Sequence, residues 1–296
     1  MRVFVTGASG WIGSAVVPEL VAAGHQVVGL ARSDGSAAAV EALGAGVHRG
    51  SLDDLDSLAA GAAEADGVIH LAFKHDFADY AGAGHTERAA IETLASTLEG
   101  SGRPLLFAAG TAVVQPGQVI TEHDRAVGGA DSPRGGGEEL ALRYADRGVR
   151  TVSLRFAPTV HGAGDHGFVA TLVDVARRTG IAGYVGDGAN RWSAVHVQDA
   201  ARLVVRALEH SAPGSAVHAV AEEGIPTRVI AEAIGDQLEL PARSIAPEDA
   251  AEHFGWIGMF FGLDLPASSA ITQQALRWTP SGPTLLADLG AGHYTR

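Results

Sequence analysis

Gly7, Gly10 and Gly13 stand directly behind the apolar run Val3-Phe-Val5 and directly before a stretch of helical pattern. Arg2 to Thr6 reads as a buried strand, because its apolar residues are continuous and β-forming. Ile12 to Ala23 reads as a helix, with Val16, Val17, Leu20 and Val21 on one stripe. Gln26 to Ala31 reads as the next strand. In that setting each glycine has its own task. The first permits a tight turn, the second lets a pyrophosphate approach the backbone, and the third lets the helix pack close to the strand. The N–H groups that open the helix have no intrahelical partner and face the phosphates. The segment therefore predicts a strand–turn–helix unit that binds a dinucleotide.

The end of the second strand selects between dinucleotides. An acidic residue there binds a free ribose 2′-hydroxyl, whereas an arginine accommodates a 2′-phosphate. The chain reads Ala31-Arg32-Ser33-Asp34, with no carboxylate at the strand end. Arg32 can face a phosphate and Ser33 can donate to it, which predicts NADP(H). Two competing readings stand beside this one: Arg32 as a solvated loop cation, and Asp34 reaching the ribose.

Further strands are expected at Val47–Arg49, Gly67–Ala72, Pro104–Ala109 and Val149–Arg155, with helices at Leu52–Ala60, Arg88–Leu98 and Glu138–Arg147. This alternation predicts an α/β fold: a Rossmann-type, doubly wound parallel sheet with helices on both faces. After Arg155 the strand candidates shorten to 183–185, 193–196 and 216–220, and they alternate with helices near 168–178, 199–209 and 228–238. The expected division is a nucleotide domain over 1–155, a smaller C-terminal α/β substrate lobe over 156–296, and a return of 197–212 to the first domain. With 46% hydrophobic and 19% charged residues, the 296-residue chain can bury a core. A net charge of −13 argues against nucleic acid and anionic membranes as partners. The absence of cysteine removes disulfides, thiolate metal ligands and thiol nucleophiles, and it fits a cytoplasmic location. No apolar run approaches the roughly 18 residues of a spanning helix, and no spacing calls for a metal.

Four segments together resemble the extended and atypical short-chain dehydrogenase/reductases, in their NAD-dependent epimerase/dehydratase-like branch. They are Thr6 to Gly13, Asp66-Gly-Val-Ile-His-Leu-Ala72, Leu154-Arg-Phe-Ala-Pro-Thr-Val-His-Gly162, and 186–199 with its Arg191-Trp192 pair. The resemblance spans nearly the whole chain. It implies a site between domain and lobe, with the cofactor lined by Gly7, Ser9, Gly10, Trp11, Ile12, Gly13, Arg32, Ser33, Ser51, Leu52, Leu71, Ala72, Lys74 and Ala109. The family's catalytic set is a Ser or Thr at the end of the fifth strand, followed by Tyr-x-x-x-Lys. Here the hydroxyl position falls on Gly110, with Thr111 beside it. Arg134 stands where the tyrosine is expected and Glu138 where the lysine is expected. Lys74 is the chain's single lysine, and no tyrosine precedes it by four.

Chemistry is therefore expected from other residues at the strand ends. Thr111, Lys74, His161 and Arg134 are the catalytic candidates: a hydroxyl donor, a cation near the ribose or substrate, a proton donor, and an oxyanion partner. His161 or His166 can pair with Asp165. Glu138 reads better as a first-turn helix acid. His75, His166, Trp192 and Trp256 are candidates for substrate contact. The aromatic run His253 to Phe261 reads as a lid over an apolar pocket, as lobe core, or as a subunit contact. The expected activity is NADP(H)-dependent reduction of a carbonyl or related unsaturated, apolar small molecule, by a monomer or homodimer. An NADP(H) sensor with little catalysis is one alternative; an epimerase or dehydratase with retained cofactor is the other.

Overall fold

The computed structural model describes residues 1–74, 79–111, 117–125 and 135–294. His75 and Arg134 lie outside the described residues. The first unit is β1 (Arg2–Thr6), α1 (Trp11–Ala22), β2 (Gln26–Ala31), α2 (Asp34–Ala42), β3 (Gly46–Arg49), α3 (Leu55–Ala63) and β4 (Gly67–His70). The second is α4 (Tyr80–Leu98), β5 (Pro104–Gly110), α5 (Gly135–Arg143), a 3₁₀ turn at Tyr144–Arg147, and β6 (Arg150–Phe156). There follow β7 (Thr159–His161), α6 (Phe168–Thr179), β8 (Ala182–Val185), β9 (Arg191–His196), α7 (Val197–His210), β10 (Ser215–Ala219), β11 (Glu222–Pro226), α8 (Thr227–Leu238) and β12 (Ala242–Ile245). Short helices α9 (Ala250–Phe254), α10 (Gly258–Phe261), α11 (Ala270–Leu276) and α12 (Leu285–Gly290) end the chain.

Seven strands pair in parallel in the order β3-β2-β1-β4-β5-β6-β10. The chain runs outward from β1 to β3 on one side and from β4 to β10 on the other. The order thus reverses between β1 and β4, and such a reversal opens a crevice beyond the carboxyl ends of the strands. Helices cover both faces, so the central strands carry continuous apolar runs. Val3, Phe4, Val5, Ile69 and Leu106 are all at most 1% exposed. Val16, Val17 and Leu20 of α1 share one core with Leu203 and Val204 of α7. Leu58 of α3, Leu94 and Leu98 of α4 and Tyr144 share the other. A separate cluster of Leu172, Trp192, Ile230, Phe254, Phe261 and Leu285 fills the lobe, beside a β11-β9-β7 sheet and a β12-β8 pair.

Several elements differ from expectation. The strand expected at 216–220 among the lobe candidates is β10, which joins the large sheet beside β6. Together with α7 against α1, it carries the return of the chain to that sheet as far as Ala219. Helix α3 starts at Leu55 because the Asp54 side chain accepts the Ser57 N–H at 3.1 Å and caps it there. Helix α4 starts two turns before the expected Arg88. Asp79 caps Gly82 at 2.9 Å, and the buried Ala83 and Gly84 lie in those two turns.

Candidate active site

The turn after β1 is built by glycine geometry. Gly7 has φ +71°, and a Cβ there would lie 2.7 Å from the amide nitrogen of Ala72, at the end of β4. A Cβ on Gly13 would sit 2.0 Å from the Gly7 carbonyl oxygen. Gly10 is exposed, and its nearest obstacle is that same oxygen at 3.2 Å. It is the N-cap of α1 and offers no capping side chain, and the first turn holds no acid. The opening amides of α1 are thus accessible to an anion, which is the cradle a pyrophosphate needs. Thr6 Oγ1 accepts the Ala72 N–H at 3.3 Å and lies 2.7 Å from His70 Nδ1, fastening the ends of β1 and β4 together. Trp11 donates from Nε1 to the Val160 carbonyl at 2.7 Å, and its ring meets the exposed His166 edge-on at 5.8 Å.

At the end of β2, Arg32 is exposed and has no ion-pair partner among the described residues. Ser33 caps α2 in a reciprocal box with Ser36, at 3.2 and 3.0 Å. Asp34 accepts from Arg49 Nη2 at 2.7 Å. In the loop after β3, Ser51 and Leu52 are half-buried, and Ser51 Oγ accepts the Asp53 N–H at 3.3 Å. Lys74 donates to Asp53 Oδ1 at 2.5 Å, so the single lysine joins the loops after β3 and β4. Leu71, Ala72 and Ala109 are half-buried at the ends of β4 and β5.

The candidate catalytic residues lie in different places. Thr111 follows β5 directly, with its N–H on the Phe156 carbonyl at 3.1 Å. Its side chain is 2% exposed, and Oγ1 has no hydrogen-bond partner among the described residues. His161 is 0% exposed. Its Nδ1 lies 2.6 Å from Asp288 Oδ2, and its Nε2 lies 4.0 Å from Glu222. Burial lowers its pKa, against the opposing pull of Asp288. Its carboxylate partner is therefore Asp288 of α12, 127 residues along the chain, and not the expected Asp165. Asp165 accepts from the Tyr294 hydroxyl at 2.9 Å and the Gly167 N–H at 2.6 Å, and burial raises its pKa. No short-range spacing marks Asp288 or Tyr294, and sequence reasoning missed both.

Glu138 is 5% exposed and accepts from Arg155 Nε at 2.8 Å. Arg155 also donates to the Asp124 carbonyl at 2.7 Å and lies 3.3 Å from His218 Nε2. Arginine only donates, so His218 Nε2 accepts, and its Nδ1–H goes to the Ser268 carbonyl at 2.7 Å. His218 is thus neutral, and burial lowers its pKa accordingly. Glu138 and Arg155 line a cleft of about 970 Å³ that runs along β10. The position expected for a catalytic lysine holds a buried carboxylate in an ion pair.

Aromatic rings from both halves meet. Phe73, after β4, lies 6.1 Å from Tyr80 of α4, and Tyr80 lies 6.3 Å from Phe260 of α10. Phe260 meets Phe168 at 5.5 Å and Trp256 at 6.3 Å, and Phe168 meets Trp256 at 5.4 Å. Trp192 is fully buried against Phe168 and Phe261. Beside it, Arg191 is held by Asp264 through Nε at 3.1 Å and Nη2 at 2.9 Å. No helix among the described residues is long and apolar enough to cross a membrane, and none of their His, Asp and Glu clusters could hold a metal ion.

The family model described as NAD dependent epimerase/dehydratase matches residues 3–220. An uncharacterized protein of Schizosaccharomyces pombe is 47% identical over 99% of this chain and 100% of its own. A 4-hydroxy-2-methyl-3-oxo-4-farnesyl-3,4-dihydroquinoline-1-oxide ketoreductase of Stigmatella aurantiaca is 28% identical, over 86% of this chain and 80% of that one. Among solved structures, a dTDP-glucose 4,6-dehydratase of Streptomyces venezuelae with NAD bound superposes with TM-score 0.79 at 20% identity. It covers 100% of this chain and 98% of that chain. At that identity the likeness carries the fold alone.

Proposed function

The chain belongs to the NAD-dependent epimerase/dehydratase family, and from that premise we propose that it is an NADP(H)-dependent reductase of an uncharged, largely apolar carbonyl compound. The observation that carries the cofactor reading is Arg32, exposed at the end of β2 and free of any carboxylate partner among the described residues. Gly7, Gly10 and the open N-terminus of α1 fit a pyrophosphate, and Ser51 and Lys74, joined through Asp53 on the loops after β3 and β4, would face the adenosine half. When bound, the cofactor supplies hydride.

The chain's own task is to hold the substrate and manage charge on its oxygen. Thr111 Oγ1–H, buried and unpartnered among the described residues, is the donor proposed for that oxygen. His161 is enclosed between Asp288 and Glu222 and takes a packing role. Two features support an apolar substrate. Phe73, Tyr80, Phe168, Trp256 and Phe260 form a continuous aromatic wall. Asp264 takes the Nε–Nη2 edge of the Arg191 guanidinium and balances its charge, which weakens that residue as a partner for a phosphate. The Stigmatella aurantiaca relative is named as a ketoreductase of a 3-oxo-4-farnesyl compound, which agrees with this class.

The test is twofold. NADPH is expected to bind more tightly than NADH, with Arg32→Ala removing most of the difference; equal affinities in the intact protein sink the cofactor reading. A panel of aldehydes, ketones and enones is expected to yield NADPH oxidation with its apolar members, lost in Thr111→Val. Glu138 in place of the lysine favours a second reading, an NADP(H) sensor, and a panel with no turnover selects it.

A further inference from the structure

Strands β2 and β3 pair in parallel, with Ala31 opposite Arg49. Arg49 thus stands at the end of β3, next to the strand end from which Arg32 follows, and its ion pair with Asp34 brings its guanidinium to the first residue of α2, two positions beyond Arg32. Arg49 holds Asp34 at 2.7 Å, with side chains 55% and 99% exposed. An ion pair that open to water is weak, and its partners exchange readily. A cofactor 2′-phosphate would enter the same corner with greater charge and three acceptor oxygens.

Resting on the NADP(H) reading, we propose that Arg49 is a second ligand of the 2′-phosphate and that Asp34 is its built-in competitor. The carboxylate holds Arg49 when the corner is free of phosphate. An arriving phosphate takes Arg49 over and leaves Asp34 to solvent, close to a like charge. Asp34 therefore does not serve the ribose; it lowers the affinity for NADPH and keeps Arg49 in place. The discrimination between the two cofactors is set by three residues, Arg32, Arg49 and Asp34, rather than by the strand-end arginine alone.

Calorimetric titration of the intact protein and of Asp34→Asn and Arg49→Ala with NADPH and NADH tests this without any turnover. Arg49→Ala is expected to weaken NADPH about five- to tenfold, as loss of a charge-assisted contact does, while NADH changes less than about twofold. Asp34→Asn is expected to tighten NADPH roughly threefold and leave NADH as it was. Both variants alter exposed side chains, and the Asn variant keeps the size of the original. If only Arg32→Ala erases the NADPH preference and Arg49→Ala changes neither cofactor, the proposal falls while the cofactor reading stands. If Asp34→Asn weakens NADH, Asp34 serves the ribose and the proposal falls. Equal affinity of the intact protein for both cofactors overturns the cofactor reading itself.

Discussion

Glu138 and Arg155 form a 2.8 Å ion pair whose side chains are both almost fully withdrawn from the surface, at the wall of the cleft along β10. Such a pair contributes little against an apolar replacement of both members, but removing one member strands the other. Glu138→Ala is therefore expected to cost about 3–5 kcal/mol in urea unfolding. Replacing Glu138 and Arg155 together with Leu and Met should recover most of that loss. A single variant within about 1 kcal/mol of the parent would mean that the Asp124 carbonyl and His218 suffice for the guanidinium. The same residue marks where reading the sequence stops. Gly7, Gly10 and Gly13 were legible because each acts on neighbours within one turn or one strand crossing. Glu138 does stand in the first turn of α5, as the sequence suggests, but its pairing with Arg155 is not legible there, because Arg155 lies on another element and nothing local announces that contact. For the same reason the sequence offers Asp165 to His161 or His166 and gives no sign of Asp288, which lies 127 residues from His161.

At the scale of elements, capping rather than hydrophobic pattern sets where α3 and α4 begin. Asp54 fixes the start of α3 through Ser57. Asp54→Ala is expected to lower global stability by about 1 kcal/mol, with Asp54→Asn nearly silent, because asparagine caps as well as aspartate. Chemical unfolding of the two variants checks this, and equal losses in both would point to charge rather than to the cap. The first two turns of α4 escaped notice because Gly82 and Gly84 weaken the helical signal, although tertiary packing buries Ala83 and Gly84. The strand at Ser215–Ala219 was seen but grouped with the lobe. Its pairing with β6 follows from chain topology, not from its five residues.

Across the whole molecule, stability carries a pH signature from buried imidazoles. The pKa values of His161 and His218 are lowered, chiefly by burial. Each therefore holds its proton less tightly when folded than when unfolded, where it titrates near 6.5. Their stabilising contributions are present above that value and fade as pH falls through it toward the folded pKa. Asp165 and Glu222, raised by burial, act in the opposite sense, losing stability as pH rises through their folded values. A comparison with His218→Gln isolates one imidazole, since glutamine does not titrate. The stability advantage of the parent over this variant is expected to shrink between about pH 7 and pH 5. A constant difference would mean that His218 does not titrate differently in the two states.

The indole of Trp11 stands in the first turn of α1 and donates to Val160 on β7. One side chain therefore ties the glycine turn after β1 to the strand that leads into the lobe. Displacing either while the bond holds displaces the other. A dinucleotide at the one and a ligand at the other would meet through this bond. Whatever factor the dinucleotide imposes on the affinity for a lobe ligand, that ligand returns in equal measure to the dinucleotide.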